Sequence, residues 1–450
     1  MQPIKRMFWI YLLLLTGLWW FTDQTDWSSL SGLFSWRAVL MQYTGVLGIG
    51  VMSVAMLLAV RPVVLEPYLG GLDKMYRLHK WLGISGLALS ITHWLMAQGP
   101  KWLVGWGLLE RPVRPPRPAL PADSIQQFFL DQRHLAESIG EWAFYAALAL
   151  MVLALIKRFP YRHFFKIHHL LAVAYLALVW HAVVLLKFDY WSGVLGPVMA
   201  VLMAAGTVAA LLVLFRRVAT SRKVTGEVAS IVRHDALNVV EVGIQLKGRW
   251  SGHDAGQFAF VTLHEDEGPH PFTISSAWTG DGRIQFIIKA LGDYTRTLAD
   301  RLRVGNPVTV EGPYGQFNFQ GESPRQIWVG GGIGITPFIS RLKTLARQGD
   351  GRAIDLFHTT AVYDPEVIGL LERDAQAANI RLHVLWDERD GWLDAERIRQ
   401  TVPDWRDADV WFCGPAGFGQ ALKRDLTALG LPGARFHQEL FEIRSPNLYP

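Results

Sequence analysis

The chain has 450 residues, half of them hydrophobic, and a formal net charge of +5 at pH 7. Its length is typical of about three modules, and its single cysteine, Cys413, excludes an internal disulfide and a cysteine-ligated metal cluster. Much of the basic excess lies at the ends of apolar segments, as is common in membrane proteins, so we expect no nucleic-acid partner.

Two halves of different composition follow each other along the chain. Residues up to about 217 are rich in Leu, Val, Ala and Trp, and the remainder is typical of a soluble protein. Six apolar stretches, several near the roughly 17–25 residues that span a bilayer, predict transmembrane helices. They are residues 7–21, 38–60, 81–97, 142–156, 170–186 and 194–215. The first follows Lys5 and Arg6 like a signal peptide but lacks a small-residue cleavage site, so we favour an uncleaved helix.

Lysines and arginines indicate how these helices are oriented. They cluster at the amino end, in the second and fourth connections and after the last stretch, which places both ends and the soluble half in the cytoplasm. We therefore predict a multi-pass protein of the cell membrane, such as a bacterial inner membrane. The basic, proline-rich loop 98–137 is predicted to be an extended outer linker. Its arginines could attract an anionic iron chelate or, as we favour, contact anionic lipid head groups.

Four histidines lie in two spaced pairs on apolar segments. His79 and His93 are 14 residues apart, and His168 and His181 are 13 apart. A histidine within a membrane is costly and therefore a functional hypothesis, although any single one could be a hydrogen-bonded interior residue. Fourteen helical residues rise about 21 Å, most of the way across a hydrocarbon core of about 30 Å. Two pairs favour haem, whose iron accepts axial imidazole, over zinc, which needs three or four ligands.

Helical periodicity supports the first pair better than the second. Fourteen steps of about 100° return to within about 40° of the starting face, whereas thirteen steps from His168 miss it by about 140°. Twelve steps from the adjacent His169 miss by about 120°. The spacing therefore does not choose between His168 and His169, and either one requires a bulge or bend.

The residues around these histidines resemble the third and fifth helices of the ferric reductase and NADPH oxidase superfamily. The matching motifs are R-L-H-K-W-L-G at 77–83, T-H-W at 92–94, I-H-H-L at 167–170 and W-H-A at 180–182. The resemblance implies that the first histidine of the adjacent pair is the ligand. His79 and His168 would then hold an inner b-type haem, and His93 and His181 an outer one.

From residue 223 to 320 the pattern changes to short β-rich runs at 238–246, 257–263 and 284–289, which predict a small barrel. Three blocks follow in order: H-P-F-T-I-S-S, I-K-A-L-G-D-Y-T and E-G-P-Y-G. Alone, the first block is more typical of a buried strand with hydroxyl groups than of a binding site. Together, the blocks closely resemble the FAD-binding domain of ferredoxin-reductase-type enzymes. His270, where many members carry arginine, is typical of the oxidase branch.

This resemblance implies a set of FAD contacts in the three blocks. They are His270, Pro271, Phe272, Thr273, Ser275, Ser276, Lys289, Gly292, Thr295, Gly312, Tyr314 and Gly315. The chemistry is suitable, because a flavin needs a flat apolar slot with hydrogen-bonding groups, which Phe272 and Thr273 can supply. Lys289 and Gly292 suit a pyrophosphate.

A glycine-rich turn predicts the nucleotide module. The apolar strand 326–329 enters G-G-G-I-G-I-T-P-F, in which Thr336 is predicted to cap the next helix and Pro337 to occupy its first turn. Such glycines allow backbone N–H groups to approach a phosphate, although a tight strand-to-helix turn alone would also explain them. Alternating elements at 353–358, 365–378, 381–386, 394–401 and 409–412 predict a small parallel α/β domain. The candidate nucleotide contacts are Gly330, Gly331, Gly332, Gly334, Thr336, Pro337, Cys413, Gly414 and Pro415.

The end of the chain supplies the catalytic candidates. Cys413 could simply be a buried small residue, but the resemblance places its C-G-P motif beside the nicotinamide. The resemblance also implies an aromatic residue that covers the flavin, for which Phe441 is suitable, and Glu439 completes the catalytic set. NADPH selectivity usually requires a basic residue after the second strand. Residues 358–361 read H-T-T-A, so NADH and NADPH both stay open.

Together these observations predict a multi-domain membrane protein. Residues 1–219 would form a six-helix, all-α transmembrane di-haem bundle, residues 220–321 an FAD-binding β-barrel, and residues 322–450 an α/β NAD(P)H-binding domain. Electrons would pass from cytoplasmic NAD(P)H through FAD and two haems to an outer acceptor. We expect dioxygen first, a ferric chelate second, and quinone or another protein third. A non-enzymatic haem and flavin sensor is the alternative of another class.

Overall fold

A computed structural model describes residues 2–110, 121, 124–156 and 161–439. The chain forms two compact units. The first comprises Met1–Val64 and Lys74–Val218, and the second comprises Leu65–Asp73 and Ala219–Pro450. The chain therefore passes between the units at three crossing points, which are 64/65, 73/74 and 218/219.

The first half of the chain is helical. Its helices are α1 (Gln2–Thr22), α2 (Gly32–Ala59), α3 (Glu66–Leu69), α4 (Leu72–Gly105), α5 (Ile125–Leu155), α6 (Tyr161–His168), α7 (Leu171–Leu185), α8 (Phe188–Ser192) and α9 (Leu195–Leu214). All except α3 lie mainly or wholly in the first unit. Its core includes the buried side chains of Trp19, Val46, Tyr175 and Met203.

Five described helices are long and apolar enough to cross a membrane: α1, α2, α5, α7 with the preceding turn, and α9. Helix α4 has 34 residues, ample for a span. Its predicted span at 81–97 has no charged residue, but glycines, serines, Thr92 and His93 lower the apolar character of that stretch. Of the six predicted spans, the third is therefore the one that composition supports least.

The predicted extended linker at 98–137 is wrong at both ends. Helix α4 continues through Pro100 to Gly105, and α5 begins at Ile125, where the Ser124 hydroxyl accepts a hydrogen bond from the Gln127 N–H. The start of α5 is polar but helical because side chains four residues apart pair along it, as Arg133 and Glu137 do. The prolines and arginines of the predicted linker at 111–120 lie outside the described residues.

The bend that the His168–His181 spacing requires lies directly after His168. Helix α6 ends at His168, and α7 begins at Leu171. Between them, the Leu170 N–H donates to the Ile167 carbonyl at 3.0 Å and the Ala172 N–H donates to the His169 carbonyl at 3.0 Å. These three-residue steps tighten the backbone relative to an α-helix, and so change the face on which later residues lie.

After the short segment Leu65–Asp73, the second unit continues with an antiparallel sheet of six strands. Its strands are β1 (Lys223–His234), β2 (Val239–Leu246), β3 (Phe258–Thr262), β4 (His270–Thr273), β5 (Arg283–Lys289) and β6 (Pro307–Tyr314), with α10 (Asp293–Arg301) before β6. The order is β4-β3-β6-β1-β2-β5, and a bridge between Ile274 and Phe286 joins the two edges into a barrel. Alternate β2 residues from Val240 to Leu246 are buried, as the period of two requires.

A parallel sheet completes the second unit. Its strands are β7 (Arg325–Gly331), β8 (Ala353–Thr360), β9 (Arg381–Trp386), β10 (Asp409–Cys413) and β11 (Phe436–Gln438), in the order β11-β10-β7-β8-β9. The associated helices are α11 (Thr336–Leu345), α12 (Pro365–Ala377), α13 (Asp387–Asp390), α14 (Ala395–Thr401) and α15 (Ala416–Ala428). Strand β7 is buried almost throughout, as is typical of a central parallel strand.

The predicted cap of α11 is wrong in its residue. Gly332–Ile335 forms a 3-10 turn that leads directly into the helix, and Ile335 is the N-cap. Thr336 already has helical backbone angles, so its hydroxyl donates to the Ile333 carbonyl at 2.7 Å instead of accepting from the helix. Pro337 lies in the first turn, as predicted.

Candidate functional site

The inner histidine pair is formed by α4 and the end of α6. The rings of His79 and His168 have centroids 6.2 Å apart at an angle of 69°. His79 Nδ1 lies 2.9 Å from the Ala55 carbonyl of α2. Because a carbonyl only accepts, this Nδ1 carries the proton and the lone pair is on Nε2. Nε2 of His79 is thereby available to a metal.

The outer pair has the same arrangement, and its α4 histidine lies 14 residues after His79. The ring centroids of His93 and His181 are also 6.2 Å apart, at 79°. His181 Nδ1 donates to the Ala136 carbonyl of α5 at 2.8 Å. His93 Nδ1 lies 3.0 Å from Thr44 Oγ1, which itself donates to the Leu40 carbonyl. The Thr44 hydroxyl proton is used there, so this oxygen accepts from His93 and Nε2 again has the free lone pair.

The ring separations leave room for one metal ion between the two imidazoles of each pair. A metal–nitrogen bond of about 2.0–2.1 Å on each side, with about 1.1 Å from each nitrogen to its ring centre, gives a centroid separation of about 6.3 Å. No cluster of three or more His, Cys, Asp or Glu suitable for a metal occurs among the described residues. Two-ligand sites of this kind suit haem, which supplies the other four ligands itself.

Two glycines make room for the outer pair. A Cβ atom on Gly140 of α5 would lie 2.0 Å from His181 Nδ1, and one on Gly45 of α2 would lie 3.4 Å from His93 Cε1. Neither glycine was identified from the sequence, because glycine in an apolar segment is common in membrane helices. Only a contact between distant segments gives these positions their role.

The first flavin block forms the edge strand β4 and the residues after it. His270, Pro271, Phe272 and Thr273 are each partly exposed, whereas Ser275 is fully buried. The rings of His270 and Phe272 are nearly parallel, with centroids 6.3 Å apart. A flat ligand would therefore meet the side chains of β4 and not the Ser275 hydroxyl. Ser276 Oγ accepts from the Gln285 N–H at 3.1 Å, which anchors the end of the block.

His270 is held as a neutral donor. Its Nδ1 donates to the Gly268 carbonyl at 3.1 Å, and its ring lies 4.6 Å from that of Tyr294. Burial lowers the pKa of His270, although the Gly268 carbonyl partly opposes this change. A neutral imidazole presents a flat, weakly polar face near pH 7, which differs from the fixed charge of an arginine.

The second block forms a helix start. Lys289 ends β5, and Gly292 is the N-cap of α10. Thr295 Oγ1 accepts from the N–H groups of Leu291 at 3.0 Å and Gly292 at 2.9 Å. Thr295 therefore satisfies backbone donors at the start of the helix, where a phosphate would also be favoured.

The third block ends β6 in a tight turn. Gly312 and Gly315 have φ angles of +152° and +109°, so both occupy conformations that favour glycine. A Cβ on Gly315 would also lie 3.2 Å from the Phe258 ring. Tyr314 is buried, and its hydroxyl donates to Glu311 at 2.9 Å. We call residues 311–316 the flavin turn.

The nucleotide blocks meet at the point where the parallel sheet changes direction. Strands β8 and β9 extend the sheet on one side of β7, and β10 and β11 extend it on the other. Ligands of open α/β sheets bind at the carboxyl ends of the strands at such a switch point. Cys413 of β10 lies in register with Gly330 of β7, which brings the C-G-P and glycine-rich turns together.

Close backbone packing explains the glycines in these turns. A Cβ on Gly334 would lie 2.2 Å from the Cys413 carbonyl oxygen, and one on Gly331 would lie 3.0 Å from Pro415. The Cα of Gly331 is 3.1 Å from the Cβ position of Gly414. Gly332 has a φ of +54° and open space around it, so its requirement is conformational.

The catalytic candidates are only partly described. Cys413 is buried, and burial raises the pKa of its thiol, with a further contribution from the nearby Glu439 carboxylate. The thiol is therefore neutral at physiological pH and is not a nucleophile. Glu439 is itself buried. Phe441 lies outside the described residues.

Two family models match parts of this chain. A family model described as the ferric reductase like transmembrane component matches residues 44–179, and an FAD-binding domain model matches residues 226–318. The chain has the ferric reductase and NADPH oxidase-like architecture. The predicted resemblance is thereby confirmed. The first match includes His79, His93 and His168 and ends two residues before His181.

Curated relatives match a little under half of this chain. The flavohemoprotein of Bordetella pertussis is 30% identical over 214 residues, which are 41% of this chain and 52% of the relative. The reductase subunit of stachydrine N-demethylase from Rhizobium meliloti is 28% identical over 226 residues, covering 46% and 64% of the two chains. The chain thus spans roughly half to two thirds of the length of these relatives.

Solved structures give weaker likenesses. A cytochrome P450 reductase from Amycolatopsis is 21% identical with a TM-score of 0.43, covering 49% of this chain and 70% of its own. A flavohemoglobin from Malassezia yamatoensis is 15% identical with a TM-score of 0.46, covering 91% and 97%. Both likenesses are too low to bear on function.

Proposed function

We propose that this chain is a multi-pass membrane oxidoreductase that carries electrons from cytoplasmic NAD(P)H to an acceptor on the outer face, through FAD and two b-type haems. The observation that carries the proposal is the pair of matched histidine sites. Each has ring centroids 6.2 Å apart, and α4 supplies one ligand to each. The 14-residue step along α4 separates the two sites by about 21 Å, which suits passage across a bilayer.

The residues of the chain have distinct tasks in this proposal. The turns around Gly330 and Gly414 would bring backbone N–H groups to the dinucleotide phosphates, and the neutral Cys413 thiol would lie beside the nicotinamide. The flat side chains of β4 receive the isoalloxazine ring. In the membrane, the Nδ1 hydrogen bonds of His79, His93 and His181 fix the ring orientation, as outer hydrogen bonds do for metal-bound histidines.

The bound groups would supply the redox chemistry. The chemistry supplied would be exchange of a two-electron hydride for single electrons at FAD and one-electron transfer at the haems. One NAD(P)H releases two electrons and one proton. Two dioxygen molecules would therefore each gain one electron to give two superoxide ions, or two ferric chelates would each be reduced to the ferrous form. We place dioxygen first and ferric chelate second, with quinone or another protein third.

Purified protein in detergent tests the proposal directly. We expect an absorption spectrum of bound haem and, on addition of NAD(P)H under air, superoxide formation at twice the rate of NAD(P)H consumption. In a second experiment the same protein receives NAD(P)H and ferric citrate under argon, and the ferrous iron that forms is measured. Rapid iron reduction without superoxide under air would reverse the order of acceptors.

The sensor alternative predicts a different result in stopped-flow mixing. A sensor would retain oxidised flavin after mixing with NADH or NADPH, whereas an oxidoreductase bleaches it. Folded protein that stays free of haem even after haem supplementation would overturn the membrane part of the proposal. Bleaching of the flavin in that same sample would still support the reductase part.

A further inference from the structure

A short segment from the membrane half of the sequence belongs to the second unit. Residues 65–73 connect α2 to α4, yet they pack with the reductase part of the chain. Within this segment Glu66 is only 1% exposed. Its Oε2 accepts a hydrogen bond from the Gly315 N–H at 3.0 Å, across 249 residues of sequence. A buried carboxylate is therefore held by the backbone of the flavin turn.

Residues near the other two crossing points also lie close to the flavin turn. Arg222, four residues after the third crossing point, donates to the Pro313 carbonyl, and its guanidinium lies 5.1 Å from the centre of the Tyr314 ring. The Cβ position of Gly71, just before the second crossing point, is 3.6 Å from the Gln316 backbone nitrogen. Near each crossing point, the second unit thus has a residue that lies close to residues 311–316.

The electrostatics of Glu66 follow from this position. Burial raises the pKa of its carboxyl and Asp73 adds to this effect, whereas the Gly315 N–H, the positive charge of Arg222 and Gln316 lower it. Hydrogen bonds from backbone N–H groups to a carboxylate are stronger than those between neutral groups. Loss of the carboxylate would leave the buried Gly315 N–H without its acceptor, which is costly.

We propose that Glu66 is a positioning residue that fastens the flavin turn to the connection between α2 and α4, and that onward electron transfer from the flavin depends on this contact. The inference rests on the proposed function, because the flavin turn is taken to bind FAD. Gly315 has a positive φ angle, so the conformation of the turn itself sets the direction of its N–H. The Glu66 carboxylate lies where it accepts from that N–H. Hydride transfer to the flavin takes place at the other turns and does not require Glu66.

Hydrogen exchange of the full-length chain tests the contact without any cofactor. In Glu66→Ala, amides of a peptide covering residues 311–316 should exchange at least about tenfold faster, because the Gly315 N–H loses its acceptor. Glu66→Gln keeps an oxygen acceptor of the same reach and should give intermediate exchange. Glu227, an exposed carboxylate paired with Lys247, is the matched control, and Glu227→Gln should leave this peptide unchanged. Unchanged exchange in Glu66→Ala would overturn the proposed contact.

Stopped-flow mixing with NADH under argon tests the function of the contact. At saturating FAD, Glu66→Ala should bleach the flavin within about twofold of the wild-type rate but reduce haem at least about tenfold more slowly, a ratio equivalent to about 1.4 kcal/mol. Glu66→Gln should recover part of the haem rate, which also covers the case in which the alanine variant does not fold.

Two other outcomes of the mixing experiment are informative. Equal slowing of flavin bleaching and haem reduction in both variants would overturn the inference and leave the proposed function intact, since it would indicate only a general loss of structure. A wild-type chain that bleaches its flavin but never reduces haem would overturn the proposed function and, with it, this inference.

Discussion

The two units hold their candidate cofactors by opposite means. In the proposed haem sites of the first unit, ligation would depend on four side chains, of which His79, His93 and His181 are each oriented by one hydrogen bond. In the second unit, the candidate phosphate and flavin turns depend on glycines. Because glycine has no side chain, backbone segments can approach each other closely there. The first kind of site should therefore fail when a histidine is removed or displaced, and the second when a side chain is added to a turn.

Removal of an outer ligand is the largest test of this contrast. His93→Ala or His181→Ala should lose one of two haems and all outer acceptor reduction, because iron loses an axial ligand, yet flavin bleaching by NAD(P)H should persist. Haem content per flavin measures the effect. His169→Ala, one residue from a ligand, is the control and should keep both haems. Retention of both haems in the His93 and His181 variants would falsify the ligand assignment.

The second test adds a side chain to the membrane unit. In Gly140→Ala the new methyl would lie 2.0 Å from His181 Nδ1, so the ring must leave its position and most of the outer haem should be lost. Gly83→Ala is the matched control, since nothing lies within 4 Å of its Cβ position. Haem content near wild type in Gly140→Ala would contradict the close approach of Gly140 to the His181 ring.

A smaller effect is expected from the equivalent addition in the second unit. Gly334→Ala places a methyl 2.2 Å from the Cys413 carbonyl oxygen, and overpacking of this kind costs about 1–3 kcal/mol. We expect kcat/KM for flavin reduction by NAD(P)H to fall about 10–100-fold with haem content unchanged. Gly417→Ala, with nothing within 4 Å, should be neutral. An active Gly334→Ala would contradict the close approach of the two turns.

The smallest effect should come from a hydrogen bond one step away from the metal. Thr44→Val removes the oxygen that accepts from His93 Nδ1, and losses of such outer partners weaken metal binding about 10–100-fold. We expect the low end, about tenfold weaker retention of the outer haem during dilution. Thr92→Val is matched, because the Thr92 hydroxyl donates only to the Ala88 carbonyl of its own helix. Equal haem retention in both valine variants would remove the proposed role of Thr44.

Much of the second unit could be predicted from local sequence signals. The predicted strand at 381–386 coincides with β9, and the predicted helix at 365–378 differs from α12 by one residue. Alternating burial and glycine-rich turns are patterns of neighbouring residues, so they are legible in one sequence. The cap prediction at Thr336 also relied on a local signal. It was wrong because the 3-10 turn before Thr336 extends the helical backbone by four residues.

The first unit was predicted less completely. Apolar length identified the membrane segments but not the helical extensions of α4 and α5. In α5, side-chain pairs such as Arg133 and Glu137 lie along the polar extension. Periodicity also left His168 and His169 equivalent. The structure brings His168 to His79, because the backbone tightens directly after it.

The sequence by itself determined the residue types and the order of the blocks: histidines in apolar segments, three flavin motifs, and two turns rich in glycine. Those signals are local, since hydrophobicity and backbone freedom act over a few residues. Only the tertiary structure decided which histidines face each other, why Gly140 has no side chain, and that Glu66 meets Gly315. These are contacts between distant segments, and their physical cause is complementary packing, which leaves no pattern among neighbouring residues.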